Sequence, residues 1–284
     1  LWDSEGKKIF DAMSGLWCVN VGYGRQELAD AAHQQMLTLP FYNSFFQTTN
    51  LPAVQLATRL ASLAPTVGGR SFEHVFFSSS GSEANDTNVR MVRRYWDLLG
   101  QPRRKVIIGR HNGYHGSTLA AASLSGMSEM HAQGDLPIPN IAHIEQPYYF
   151  EHGLPGESAD EFGLRAAGWL EQKILQLGAD RVAAFIAEPV QGAGGVIIAP
   201  ASYWAEIGRI VDKYGILLIS DEVICAFGRL GHWFAYEKFG YQPDLVTFAK
   251  GVTSGYVPLS GVLVGNRVAQ VLIERGGEFH HGYT

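Results

Sequence analysis

The chain has 284 residues, 46% of them hydrophobic, with 22 Lys and Arg against 27 Asp and Glu for a formal net charge of −5. That length and apolar content suit one large α/β domain, or a domain carrying part of another. The acidic balance gives no electrostatic basis for binding nucleic acid or an anionic membrane. Two cysteines, Cys18 and Cys225, are too few for a disulfide framework and fit a reducing cytoplasm. No apolar stretch reaches the roughly 18 residues of a membrane span.

In chain order, residues 2–11 read as a hairpin, with polar turn residues between apolar ones. Strands are predicted at 74–78, 105–110, 142–145, 182–188, 216–221, 245–249 and 261–265. Helices are predicted at 52–64, 82–99, 160–177, 202–214 and 266–275. Continuous apolar strands alternating with helices predict a mostly parallel sheet covered on both faces. Residues 251–260 are too few for a crossover helix, so the last two strands are predicted antiparallel, or joined by an irregular loop. Residues 133–163, rich in Pro, Gly and aromatics, read as a structured excursion. The chain begins at Leu1 and stops at Thr284 without a polar tail, so a fragment of a longer protein is expected.

In open α/β sheets, ligands sit beyond the carboxyl ends of the strands. Lys250 closes the run Leu245-Val246-Thr247-Phe248-Ala249, and Asp221-Glu222-Val223 closes the run from Ile216. An amine and a carboxylate delivered to one sheet edge suit pyridoxal phosphate (PLP): the lysine joins the cofactor and the aspartate pairs with its pyridine nitrogen. A salt-bridged or solvated lysine fits the same position. After 74–78, Ser79-Ser80-Gly81-Ser82-Glu83-Ala84-Asn85 opens a helix, where free N–H groups hold a phosphate. Ser80 or Ser82 fits a plain helix N-cap equally well. In His111-Asn112-Gly113-Tyr114-His115-Gly116, a Gly-flanked aromatic stands where it can stack on a planar ring. His33, His74, His131, His143 and His152 read as surface or satisfied histidines, and no set of residues has zinc spacing.

The ordered motifs Ser-Gly-Ser-Glu-Ala-Asn (80–85), Gly-Tyr-His-Gly (113–116), Glu-Pro-Val-Gln-Gly (188–192), Asp-Glu-Val (221–223) and Ala-Lys-Gly (249–251) resemble the class III, or omega, aminotransferases. The resemblance runs from about Trp2 to Thr284. The block from Ser14 to Gly24 is similar to the branch that uses diamines or other primary amines with pyruvate, the putrescine–pyruvate enzymes foremost. The resemblance implies a fold type I PLP-dependent large domain over 41–284, with 1–40 part of an N-terminal small domain and the C-terminal small domain outside this chain. It implies that Lys250 carries the internal aldimine and moves the substrate proton, and that Asp221 keeps the pyridine nitrogen protonated. It places Val223 and Tyr114 on opposite ring faces and Ser80, Gly81 and Ser82 at the phosphate. His115 and Glu188 also stand near the cofactor, and Thr284 reaches the phosphate site of a homodimeric partner. Trp17, Phe45, Phe46, Tyr149 and Ala193 are the expected substrate pocket. Cys18 reads as an apolar filler, and Glu222 and Arg229 as structural.

The expected reaction is a ping-pong transamination of a primary amine or omega-amino acid with pyruvate, with no metal. Another PLP reaction (aminomutase, racemase or decarboxylase) shares the fold; a nucleotide-binding reductase or a non-catalytic relative is the remaining alternative. Ser79 replaces the family's frequent asparagine. Ile224 stands where the ornithine and 4-aminobutyrate branch has glutamine, which favours the amine–pyruvate branch. No arginine present is assignable as the family's carboxylate-binding residue.

Overall fold

The computed structural model describes residues 1–282, so Thr284 lies outside the described residues. Seven strands form one sheet: β1 (Phe72–Ser78), β2 (Val106–Arg110), β3 (Ile141–Ile144), β4 (Val182–Ala187), β5 (Leu217–Asp221), β6 (Leu245–Phe248) and β7 (Ser260–Gly265). Their spatial order is β1-β7-β6-β5-β4-β2-β3. The pairings β3–β2, β2–β4, β4–β5 and β5–β6 are parallel. Both neighbours of β7 pair with it antiparallel. Among the described residues β7 therefore runs against the other six, whose carboxyl ends share one edge. The antiparallel alternative for the last two strands is the one adopted. Its short connection opens with a 3₁₀ turn, Lys250–Val252.

Strands β2, β4, β5, β6 and β7 are buried at every position, as their largely apolar sequences require. Successive side chains alternate between two cores. Ile108, Phe185 and Leu218 face one, with α4 (Ala159–Leu177) and α5 (Ala201–Tyr214) packed over them through Phe162, Leu170, Tyr203 and Ile207. Ile107, Ile186 and Ile219 face the other, under α3 (Gly81–Leu98) and α6 (Asn266–Gly276) through Val92, Trp96 and Val268. Each such buried aliphatic side chain contributes about 1.5–3 kcal/mol.

The predicted strands and five helices all form, with ends shifted by a residue or two. Helix α2 (Leu51–Leu63) starts from the Asn50 cap, whose side chain accepts from Ala53 N–H. Helix α1 (Gln26–Thr38) was not among the predicted helices, and none of its residues is buried. The excursion at 133–163 holds β3 and a helical turn, Tyr149–His152. The expected hairpin near the start reduces to one antiparallel bridge, Trp2 to Lys8, because Gly6 and its exposed neighbours give no face to bury. Among the described residues no helix is long and apolar enough to cross a membrane.

Candidate active site

The shared strand edge opens into a cleft of about 530 Å³, lined by Ser80, Gly81, Ser82, Tyr114, His115, Gly116, Asp221, Val223 and Lys250. That volume lies in the usual range for small-ligand sites. Thr253, Gly255 and residues 257–259 line it as well.

One wall is the start of α3. Ser80 caps this helix: its Oγ accepts from Glu83 N–H at 3.3 Å, and Glu83 Oε2 accepts from Ser80 N–H at 3.0 Å and Ser79 N–H at 2.9 Å. Ser80 is thus an N-cap that also borders the cleft. Ser82 Oγ accepts from Ser117 N–H at 3.0 Å, which ties the helix start to the turn after β2. The two walls approach so closely that a Cβ at Gly116 would lie 2.5 Å from Ser82 Oγ, and one at Gly81 would lie 2.9 Å from Val223 Cγ2. Small residues here keep open a cradle at the positive end of an 18-residue helix.

Beneath the cleft lies a buried polar network around Asp221, which is 3% exposed. Asp221 Oδ2 accepts from Asn85 Nδ2 and from His115 Nδ1, both at 2.8 Å. Its Oδ1 accepts from Val223 N–H at 3.1 Å. Asn85 Nδ2 also donates to the His115 carbonyl at 2.8 Å, and its Oδ1 accepts from Thr247 Oγ1 at 2.8 Å and Asn88 Nδ2 at 3.1 Å. His115 N–H donates to Ser125 Oγ at 2.7 Å. The carboxylate is held by three donors, so its orientation is fixed.

Glu188 follows β4 and is also buried, which raises its carboxyl pKa. Its oxygens accept from Tyr114 N–H at 3.0 Å and Gly192 N–H at 2.9 Å. Glu188 therefore sets the backbone of Tyr114 from below. The buried Arg110 guanidinium donates to the Glu188 carbonyl and lies against the Tyr203 and Trp204 rings.

Lys250 sits half-buried on the cleft wall with φ of +47°, a left-handed conformation unusual for a residue with a Cβ. Such conformations concentrate at functional sites.

The structure gathers eight of the expected residues, Ser80, Gly81, Ser82, Tyr114, His115, Asp221, Val223 and Lys250, at one cleft. Glu188 stands one layer behind. Trp17 is half-buried at the end of a kinked helical turn, Ser14–Trp17, and the next residue, Cys18, would touch a Cβ on Gly255, at the cleft rim. Phe45 and Phe46 lie elsewhere, Phe45 beside residues 278–282 and Phe46 90% exposed. Tyr149 packs on Phe162 in the excursion, and Ala193 is exposed in the loop after β4. Sequence reasoning missed Asn85, Ser125 and Thr247 as supports of the site. The signal was present: Asn85 and Asn88 interrupt the buried face of α3, and Thr247 interrupts an apolar strand.

Glu222 is fully buried; its carboxylate accepts from Ala235 and Tyr236 N–H, each at 2.7 Å. Burial nevertheless pushes its pKa from 4.5 up to about 7. Between those values the folded protein keeps a proton that the unfolded chain has released. Unfolding free energy therefore falls as pH rises from 4.5 to about 7, by about 3 kcal/mol in total. Glu222→Gln is expected to remove that slope in urea titrations between pH 5 and 7.5. Parallel pH profiles for the two proteins would refute this role.

The sheet, with a lysine just beyond one strand end, a buried aspartate at the end of the neighbouring strand and a helix start beside them, is that of the fold type I transferases that use pyridoxal phosphate. The chain belongs to the class III aminotransferase family, which matches residues 1–284. The putrescine–pyruvate aminotransferase of Pseudomonas aeruginosa is 59% identical over 285 residues, covering 100% of this chain and 61% of that protein. The vanillin aminotransferase of Capsicum chinense is 46% identical over 287 residues, covering 100% of this chain and 62% of that protein. The crystal structure of the omega transaminase from Pseudomonas jessenii in complex with PMP has a TM-score of 0.95 at 43% identity, covering 99% of this chain and 62% of that one. The chain thus spans about three fifths of the length of these relatives.

Proposed function

We propose that the protein is a PLP-dependent aminotransferase that moves the amino group of a primary amine or diamine to pyruvate. The observation that carries this reading is the convergence of Lys250, Asp221 and Tyr114 on one cleft beside the cradle at Ser82 and Gly116. The identity to a putrescine–pyruvate enzyme supports the choice of substrates. Ile224 packing against Gly192, rather than a polar residue there, supports the same branch.

The residues fit the cofactor by shape and charge. Bound PLP supplies an electron sink for the pair released at the substrate's amine-bearing carbon. Gly81, Ser82 and the start of α3 hold its phosphate with N–H groups and a hydroxyl. Asp221 holds a proton on the pyridine nitrogen, since an opposite charge favours the charged form. Val223 and Tyr114 confine the ring. Lys250 would hold the cofactor covalently, and its free amine would move the proton between the substrate's amine-bearing carbon and the cofactor. Donor and acceptor use the same cleft in turn, so the first product leaves before the second substrate enters. A homodimer in which Thr284 meets the partner's phosphate site, and a cytoplasmic location, belong to the same proposal. Exposed apolar side chains such as Trp2, Phe10, Phe41 and Phe46 support a partner surface.

The test is an absorption spectrum of the purified full-length protein loaded with PLP. A visible-violet band that bleaches with putrescine and returns with pyruvate is expected. A band that ignores amines would move the assignment to another PLP reaction; failure to form a band would remove it.

A further inference from the structure

The turn that presents Lys250 is poorly held by its own backbone. Its internal bonds, Val252 N–H to the Ala249 carbonyl, Thr253 N–H to the Lys250 carbonyl and Ser254 N–H to the Gly251 carbonyl, are 3.2, 3.3 and 3.2 Å long. Two of its non-glycine residues are left-handed, Lys250 at φ +47° and Ser254 at φ +53°. Residues in such regions persist where their surroundings over-determine them.

The surroundings here come from the other end of the chain. Asn20 Nδ2 donates to the Phe227 carbonyl at 2.8 Å, and Asn20 Oδ1 accepts from Arg229 Nη2 at 2.9 Å. The side-chain amide is thereby held against Gly251, so closely that a Cβ there would stand 2.6 Å from Asn20 Nδ2. Val21 N–H donates to Ser254 Oγ at 3.1 Å, and the Tyr256 hydroxyl accepts from Arg25 N–H at 2.9 Å. Residues 20–25 therefore staple the turn along its length.

We propose that Asn20 is a positioning residue for Lys250, clamping the Gly251 backbone so that the amine reaches the substrate carbon. The inference rests on the aminotransferase reading above. A misplacement of about 1 Å at a reacting group slows a reaction by up to roughly a hundredfold. Asn20 bonds to Phe227 and Arg229 and makes no hydrogen bond to Asp221 or Ser82, so the groups proposed to hold the ring nitrogen and the phosphate do not depend on it.

The experiment uses the full-length protein. Asn20→Ala is expected to keep the visible band of bound PLP. It slows the first half-reaction roughly ten- to a hundredfold and raises the isotope effect with an α-deuterated amine, because proton transfer becomes limiting. In the cofactor-free protein, amide hydrogen exchange at 252–254 speeds up. Gly251→Ala, whose new methyl strikes the amide, is more damaging alone, and Asn20→Ala in the same chain relieves it, a coupling measured by the double-mutant cycle. Should Asn20→Ala fail to fold, Asn20→Asp keeps the acceptor for Arg229, loses the donor to Phe227, and serves the same test. Unchanged half-reaction rate, isotope effect and exchange would overturn the proposal, as would a Gly251→Ala defect that persists in full in the double variant. A wild-type protein that never forms the band would instead sink the aminotransferase reading on which the inference rests.

Discussion

Lys250→Ala is expected to lower turnover by at least about 10⁴-fold, the upper end of what a positioned general acid–base contributes, while leaving the fold intact. The side chain is half-buried on a cleft wall and belongs to no core cluster, so its removal opens no cavity. Alanine keeps the same left-handed φ, so backbone strain is unchanged. Lys250→Arg is expected to be equally inactive, because a guanidinium does not give up its proton and has no free pair for the proton transfer. The check is single-turnover kinetics with putrescine alongside thermal melting. More than about 1% residual turnover in Lys250→Ala, at the acid–base magnitudes above, would remove Lys250 from the chemistry.

Asp221→Asn is expected to cost about 10³-fold in turnover, the range found on removing one preorganised electrostatic partner. The reason lies in the donors. Asn85 Nδ2 and His115 Nδ1 both point at Oδ2. An amide at position 221 satisfies them only by turning its oxygen to Oδ2, which presents NH₂ to Val223 N–H in place of Oδ1. Either orientation sets a donor against a donor, at about 1–3 kcal/mol of stability, and the charge proposed to keep the pyridine nitrogen protonated is gone in both. Denaturant unfolding and steady-state kinetics on one preparation measure the two effects. A loss below about tenfold in turnover, far short of that electrostatic range, would show that the charge of Asp221 is dispensable.

The strand order was not legible, but the strand ends were. Each strand of the sheet that bears on the cleft closes its apolar run with a polar or glycine-rich turn, and apolar runs can be read without knowing their neighbours. Asp221 and Lys250 were found in this way, and β5 and β6 prove adjacent, with Asp221 opposite Thr247 in register. The supports were hidden because they are long-range: Asn85 and Asp221 are 136 positions apart, and Asn20 and Phe227 are 207 apart. No local pattern encodes such a pairing. Ser80 was ambiguous for a different reason. Capping a helix and bordering an anion site demand the same short hydroxyl side chain, and here one residue does the first while standing at the second.

Asn85 uses its whole bonding capacity: two bonds from Nδ2 and two into Oδ1, to Asp221, His115, Thr247 and Asn88. Position 85 consequently has no second-best occupant. Aspartate would set one carboxylate against another, leucine would strand four partners, and glutamine would overshoot by a methylene. In a library of variants this helix position, which never meets a ligand, is expected to be as intolerant as the lysine itself, and a scaffold borrowed for new chemistry would have to carry it along unchanged.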